Sequence, residues 1–404
     1  VPEATRPDTA AAIAAGIDEA EIAGLACDLI AAASENPGGT EAHAVRVLAA
    51  ACAERGLDVK TTDVAPGRPN LVARLPGGDS AGLAFLGHSD VVPAGPGWTR
   101  DPFGPEISGG RLYGRGSTDM KGGLASIVVA MGAIKNAGIE LPGPIDLICT
   151  VDEEDADLGV RAYVEGVLAA PDGPPSYAAC IVAEPTDLET VIACRGACNL
   201  VIDIGGVAAH AGRPQDGANA IDAAAKVIGL IRDDHERMTA AASGLLGSGT
   251  WNVGRIDGGH GTSIVADSCT IHVDRRLMPG ESADGVRDRL ADAIRQAGID
   301  TGGITVTVDV EMEMPGFSTP PDHHLVTSAV AALADGAGIT SEIGGWTAAC
   351  DGGFIARDLG VPTIVLGPGG LNDQAHQPDE SVAVDELVSA ARAYTLLGCG
   401  TYFP

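Results

Sequence analysis

Ile145-Asp146-Leu147-Ile148-Cys149-Thr150-Val151 runs straight into Asp152-Glu153-Glu154-Asp155. A short apolar run bounded by charge reads as a strand of a sheet covered on both faces. Ala179-Cys180-Ile181-Val182-Ala183 repeats the pattern and ends in Glu184. Asn70 to Leu75 and Gly82 to Gly87 also read as strands, and helical patterns cover Ile13 to Ala33, Ala42 to Arg55 and Met120 to Asn136. Strand and helix in alternation imply an α/β domain whose mostly parallel sheet is covered by helices.

The pattern changes near Cys194. A strand over Cys198 to Ile204, a helix over Ala218 to Arg232, strands over Thr250 to Ile256 and Ser263 to Asp274, a helix over Ser282 to Ala297 and a strand over Ile304 to Val310 follow. That order resembles the split βαβ, ferredoxin-like unit. The α/β signals then resume at Leu325 to Ala334, Gly353 to Leu359 and Thr363 to Leu366, with a last helix from Val384. The expected organisation is therefore a catalytic α/β domain, residues 1–194 and 312–404, interrupted by an inserted α+β domain, residues 195–311.

Asp plus Glu number 55 against 25 Lys plus Arg, a net charge of −30. Nucleic acid and anionic membrane need a basic face, and none is visible. Hydrophobic residues are 45% of the 404 and aromatics only 3%, so a large core must be built from Ala, Val, Ile and Leu. No run reaches the roughly 18–20 apolar residues of a membrane helix. Val1 to Ala15 does not read as a signal peptide, lacking a charged start and an apolar stretch. The nine cysteines are scattered without a C-x-x-C, which reads as buried reduced thiols and a cytoplasmic protein.

Polar clusters follow the apolar strands, at the sheet edge where α/β proteins bind ligands. Gly87-His88-Ser89-Asp90 could hold a metal with Asp90 orienting the imidazole, or be a structural His–Asp pair. Gly114-Arg115-Gly116-Ser117-Thr118-Asp119-Met120-Lys121-Gly122-Gly123 reads as a helix N-cap or an anion loop, and lacks P-loop spacing. The acids Asp152 to Asp155 repel one another, which a multivalent cation would resolve and a solvated acidic face would tolerate. Glu184, at the end of a buried strand, needs a partner. His376 lies in Leu366-Gly367-Pro368-Gly369-Gly370-Leu371-Asn372-Asp373-Gln374-Ala375-His376-Gln377-Pro378-Asp379-Glu380. Mixed imidazole and carboxylate ligation suits zinc, cobalt or manganese, and it is not a thiolate site.

In order along the chain, GHSDVVPAG (87–95), WTRDPFGPEISGGRLYGRGSTDMKGG (98–123), TVDEE (150–154), AEPTD (183–187), HAGRPQDGANAI (210–221), DRRLMPGES (274–282) and LGPGGLNDQAHQPDE (366–380) resemble the M20 family of dinuclear metallo-hydrolases. The likeness is nearest to its acetylornithine deacetylase and succinyl-diaminopimelate desuccinylase branch. It implies two divalent cations, zinc first, bridged by Asp119. His88 and Glu184 would complete one site, Glu154 and His376 the other. Three carboxylates would leave the pair a residual positive charge, which lowers the pKa of a water between them. Glu153 would be the general base and Asp90 the orienter of His88.

The resemblance also makes the inserted domain a lid that dimerises. His210 would reach the active site of a second subunit and steady the oxyanion. Arg276 would hold the substrate carboxylate, with Arg275 its neighbour should the register slip by one. Arg195, Ser263 and Gly369 are further substrate-binding candidates. The family usually carries Asn at the position of Ser263, and many relatives have Thr or Ser near Ala349 and Arg at Gly353. Those departures fall in the substrate pocket, so the hydrolytic chemistry is expected to be retained on an altered acyl or amine group. The expected activity is removal of a small acyl group from an N-acyl amino acid. A dipeptidase or carboxypeptidase of the same family, and a metal-bound protein without hydrolysis, are the alternatives.

Overall fold

The computed structural model describes residues 7–400. One compact unit runs to Ile192 and resumes at Ser318–Gly344 and from Phe354 onward; the other comprises Ala193–Phe317 and Gly345–Gly353.

In the larger unit, strands Asp58–Ala65, Arg68–Leu75, Ile145–Thr150, Gly82–His88, Tyr177–Val182 and Thr363–Val365 lie side by side in that order. The last four are parallel neighbours, while the first two pair antiparallel, so the sheet is parallel at its centre and antiparallel at this flank. Gly82–His88 and Ile145–Thr150 are buried along their whole length, as apolar strands covered on both faces must be. Their register sets the site. His88 lies opposite Thr150 and Leu86 opposite Val182, so His88, the acids after Val151 and Glu184 all emerge at one edge.

Helix Lys121–Ala137 begins at that edge and packs on helices Glu19–Ala31 and Val384–Gly398. A Cβ on Gly123 would sit 2.4 Å from the Ala183 carbonyl oxygen, so only glycine lets the helix start against the strand end that carries Glu184. The single helix expected over Ile13 to Ala33 is two, Pro7–Ala15 and Glu19–Ala31, because Asp18 caps the second by accepting the Ala20 N–H.

The smaller unit has a four-stranded antiparallel sheet in the order Thr250–Gly258, Ser268–Leu277, Gly196–Gly205, Thr305–Met314. The third strand in sequence sits between the first two, the arrangement of a split βαβ. Helices Ala220–Ala240 and Ala283–Gln296 supply its crossovers, and the side chains of Asn219 and Ser282 cap them. The expected boundary at residue 312 falls inside strand Thr305–Met314, which stays paired with Gly196–Gly205 out to Met314 opposite Ala197.

Candidate metal centre

Asp119 stands between two imidazoles. Its Oδ1 lies 3.2 Å from His88 Nε2 and its Oδ2 lies 3.2 Å from His376 Nε2. His88 Nε2 is also 3.3 Å from Glu184 Oε1, and His376 Nε2 is 3.2 Å from Glu154 Oε2. Glu153 Oε2 is further off, 3.9 Å from His88 Nε2. The cluster is compact: donor atoms of His88, Glu153 and Glu184 lie within 4.8 Å of one another, as do those of His88, Asp119 and Glu154.

Each side chain has a local reason for its place. His88 ends a buried strand, and its Nδ1 lies 3.0 Å from the Asp90 carbonyl oxygen and 3.4 Å from Asp90 Oδ1. The Asp90 carboxylate accepts the backbone N–H groups of Glu153 and Glu154 at 3.3 and 3.1 Å. Neighbours on an extended segment face opposite ways, but here Asp152 has a positive φ of 69°, which turns the chain so that both acids approach the cluster. Helix Lys121–Ala137 starts just after Asp119, so Asp119 is not its N-cap; Met120 occupies that position.

The electrostatics describe a site short of positive charge. Hydrogen bonds to Asp119 and Glu154 raise His376 to about 10. Burial, opposed by His88 and reinforced by the Asp119 charge, pushes Glu184 up to about 8. Burial and the Asp119 charge raise Glu154 as well. Asp119 goes the other way: against its burial, hydrogen bonds from His376 and His88 hold it well below the usual carboxylate range. These raised values favour protons where a cation would satisfy the same lone pairs. Glu154 Oε1 is buried and accepts no hydrogen bond, an orphan acceptor inside the cluster. Two imidazoles and several carboxylates, one of them shared, fit a pair of divalent cations by donor chemistry.

Sequence reasoning missed the groups behind these donors. Asn36 donates to Asp90 Oδ2 at 2.8 Å and to Asp152 Oδ1 at 3.0 Å, and no motif marked it. Glu380, quoted only as the end of a motif, is fully buried and accepts the N–H groups of Gly116, Thr118 and Asp119.

A match to known proteins agrees with this geometry. The profile of Peptidase family M20/M25/M40 matches residues 84–398. The chain belongs to peptidase family M20. Acetylornithine deacetylase of Salmonella arizonae is 32% identical to this M20 protein over 362 residues, 88% of this chain and 90% of that enzyme. Aminopeptidase PepT of Bacillus cereus superposes with a TM-score of 0.74 at 26% identity, covering 95% of this chain and 99% of its own. The YXEP protein of Bacillus subtilis, described as a dinuclear metal-binding peptidase of the M20 family, shares the fold with a TM-score of 0.69 at 16% identity, over 95% of this chain and 98% of that one.

The remaining candidates of this M20 chain are not among the clustered donors. His210, on an exposed loop of the smaller unit, bridges to Ile264, and its Nδ1 accepts the Gly212 N–H at 3.0 Å. Ser263 is exposed in the adjoining loop, ahead of strand Ser268–Leu277 rather than within a strand as expected, and its carbonyl accepts the Ala211 N–H at 3.1 Å. Arg275 and Arg276 part company. Arg275 is buried, paired with Glu281 at 2.8 Å and stacked on Trp251, whereas Arg276 keeps 38% of its side chain exposed and pairs with Asp274 at 3.1 Å. Of the two, Arg276 is the one with a part-exposed side chain. Arg195 donates to the Leu246 carbonyl at 3.0 Å, and burial with the nearby Arg276 and Arg275 charges lowers its pKa. Gly369, at φ 84°, donates its N–H to Glu386 at 2.7 Å.

Proposed function

We propose that this M20 hydrolase is a dinuclear metal-dependent amidohydrolase that removes a small acyl group from the amine of an N-acyl amino acid. The observation that carries the reading is the match to acetylornithine deacetylase, 32% identical over 88% of this chain. The shared Asp119 between His88 and His376 supports the dinuclear part.

In this reading His88 and Glu184 would hold one cation, Glu154 and His376 the other, and Asp119 would serve both. Zinc is the first expectation, and cobalt or manganese suits the same donors. The cations would supply Lewis acidity toward the amide carbonyl and acidify water at neutral pH. Glu153, beside the donors rather than among the closest of them, takes the proton of the attacking water and returns it to the leaving amine. Asp90 keeps His88 in the ring orientation that presents Nε2 to the cluster. Arg276 is the proposed partner of the substrate carboxylate, and Arg195, Ser263 and Gly369 are further proposed substrate contacts. His210 of a second subunit donates to the oxyanion, which makes the working unit a homodimer joined through the smaller unit. Strand Thr250–Gly258 is an exposed edge there and offers an antiparallel partner surface. All nine cysteines are free thiols, eight of them buried, which supports a reducing, cytoplasmic setting.

A second reading, a peptidase of the same family acting on short peptides, is favoured by the likeness to aminopeptidase PepT at 26% identity. Comparing kcat/KM of the metal-loaded protein on N-acetyl, N-formyl and N-succinyl amino acids with di- and tripeptides separates the two. The deacylase reading expects the N-acyl amino acids to lead, and it falls if only peptides are cleaved.

A further inference from the structure

The donors of the cluster are not equally well anchored. His88 closes strand Gly82–His88, and Glu184 follows strand Tyr177–Val182 by two residues. His376 belongs to no strand or helix. It lies at φ 64° in the long connection between strands Thr363–Val365 and Ser381–Ala383. Its place has to be fixed from outside the connection.

Arg115 does this. Its side chain is almost fully buried, and its guanidinium donates to the carbonyls of His376 at 3.4 Å, Gln377 at 3.3 Å and Ala94 at 3.3 Å. The same guanidinium donates to Glu380 Oε2 at 2.6 Å. Glu380 in turn accepts from the backbone of the loop that carries the shared carboxylate: Gly116 N–H at 3.1 Å, Thr118 N–H at 2.8 Å and Asp119 N–H at 3.0 Å. Arg115 thus comes from the Asp119 loop and grips the His376 loop, while Glu380 comes from the His376 loop and grips the Asp119 loop. The two loops are tied reciprocally, and the distance tied is the one between Asp119 and His376.

We propose that the Arg115–Glu380 pair is a positioning device that sets the Asp119–His376 gap and so the affinity for the cation shared by Asp119, Glu154 and His376. The proposal rests on the dinuclear reading above. A planar guanidinium is needed because one group must reach several carbonyls and a carboxylate in fixed directions, which an ammonium on a flexible stem does not reproduce. The other cation, held with His88 and Glu184, depends mainly on strand ends and is disturbed less.

The test is a stepwise titration of the metal-free full chain with zinc against a chromogenic chelator, repeated with cobalt, whose visible absorption reports the geometry of each site. Wild type, Glu380→Gln, Arg115→Lys and His376→Ala are compared, with far-UV circular dichroism as the control for folding. His376→Ala identifies which equivalent belongs to the His376 site. Glu380→Gln and Arg115→Lys are expected to weaken that equivalent about 10–100-fold, the scale of groups that hydrogen-bond a metal's ligands. The other equivalent should shift several-fold less, and the cobalt spectrum of the weakened site should broaden. Equal affinities in wild type and both folded variants would overturn the positioning role while leaving the dinuclear reading intact. Equal weakening of both equivalents would also overturn it, as would failure of both variants to fold, since the pair would then serve the fold at large. A wild type that takes up fewer than two equivalents would refute the dinuclear reading itself.

Discussion

The Asp90 carboxylate accepts the backbone N–H of Glu154 at 3.1 Å. The same carboxylate lies 3.4 Å from His88 Nδ1, so one buried acid orients an imidazole on one strand end and the backbone of the acids on the next. Against its burial, hydrogen bonds from His88 and Asn36 hold Asp90 below the usual carboxylate range, and it stays ionised. Asp90→Ala is expected to weaken metal binding about 10–100-fold. Chelator competition reads this directly; unchanged affinity would show that His88 needs no orienter.

Glu153 and Glu154 are adjacent yet differ in reach. Glu154 Oε2 sits 3.2 Å from His376 Nε2, while Glu153 Oε2 stays 3.9 Å from His88 Nε2. Glu153→Ala should keep metal content near wild type and lower kcat by about 10²–10⁴, the scale of a general base. Glu154→Ala should lose metal first. Metal analysis beside steady-state kinetics distinguishes them, and a Glu153→Ala protein that arrives without metal would reverse the assignment.

Metal uptake should release protons. His376, raised to about 10, is protonated at neutral pH in the metal-free protein, and Glu184, raised to about 8, is largely so. A cation must displace these protons, so affinity rises with pH and falls on acidification. The gain from Glu184 is steepest below its value of about 8, about tenfold per pH unit, and levels off above it, so the window to follow runs from about pH 6 to about pH 8. Zinc added to a weakly buffered solution should acidify it, and the apparent affinity from calorimetry should climb across that window. A pH-independent affinity would contradict the proton-filled cluster.

His210 is exposed in the smaller unit, on a chain that places every proposed metal donor in the larger one. If it serves a second subunit, inactive Glu153→Ala chains mixed with inactive His210→Ala chains should regain activity after subunit exchange. Each heterodimer would contain one intact site, about half the activity of a wild-type dimer by the symmetry of a two-fold assembly. Confirmed exchange without recovery would remove His210 from that role.

The sequence made some of this legible and hid the rest for physical reasons. Apolar strands ending in polar clusters are readable, so the central sheet, His88, the acids Asp152 to Asp155 and Glu184 stood out, while their roles as metal donors came only from the family resemblance; the split βαβ order of the smaller unit followed from alternating helix and strand patterns. Asp18, by contrast, interrupts an apolar run with a cap whose effect is local, and the periodicity ran through it. Asn36 and Glu380 act through hydrogen bonds to residues 54 and 261 positions away. No spacing rule reaches that far. The choice between Arg275 and Arg276 is invisible in sequence because neighbours on a strand alternate faces, and only the fold shows which face is buried.

Crystals grown with zinc, measured at the zinc absorption edge, test the central claim most directly. The account predicts two anomalous peaks. One should lie among His88, Asp119 and Glu184, and the other among Asp119, Glu154 and His376, with an oxygen of Asp119 pointing at each. A single peak, or a second peak away from His376 and Glu154, would contradict it.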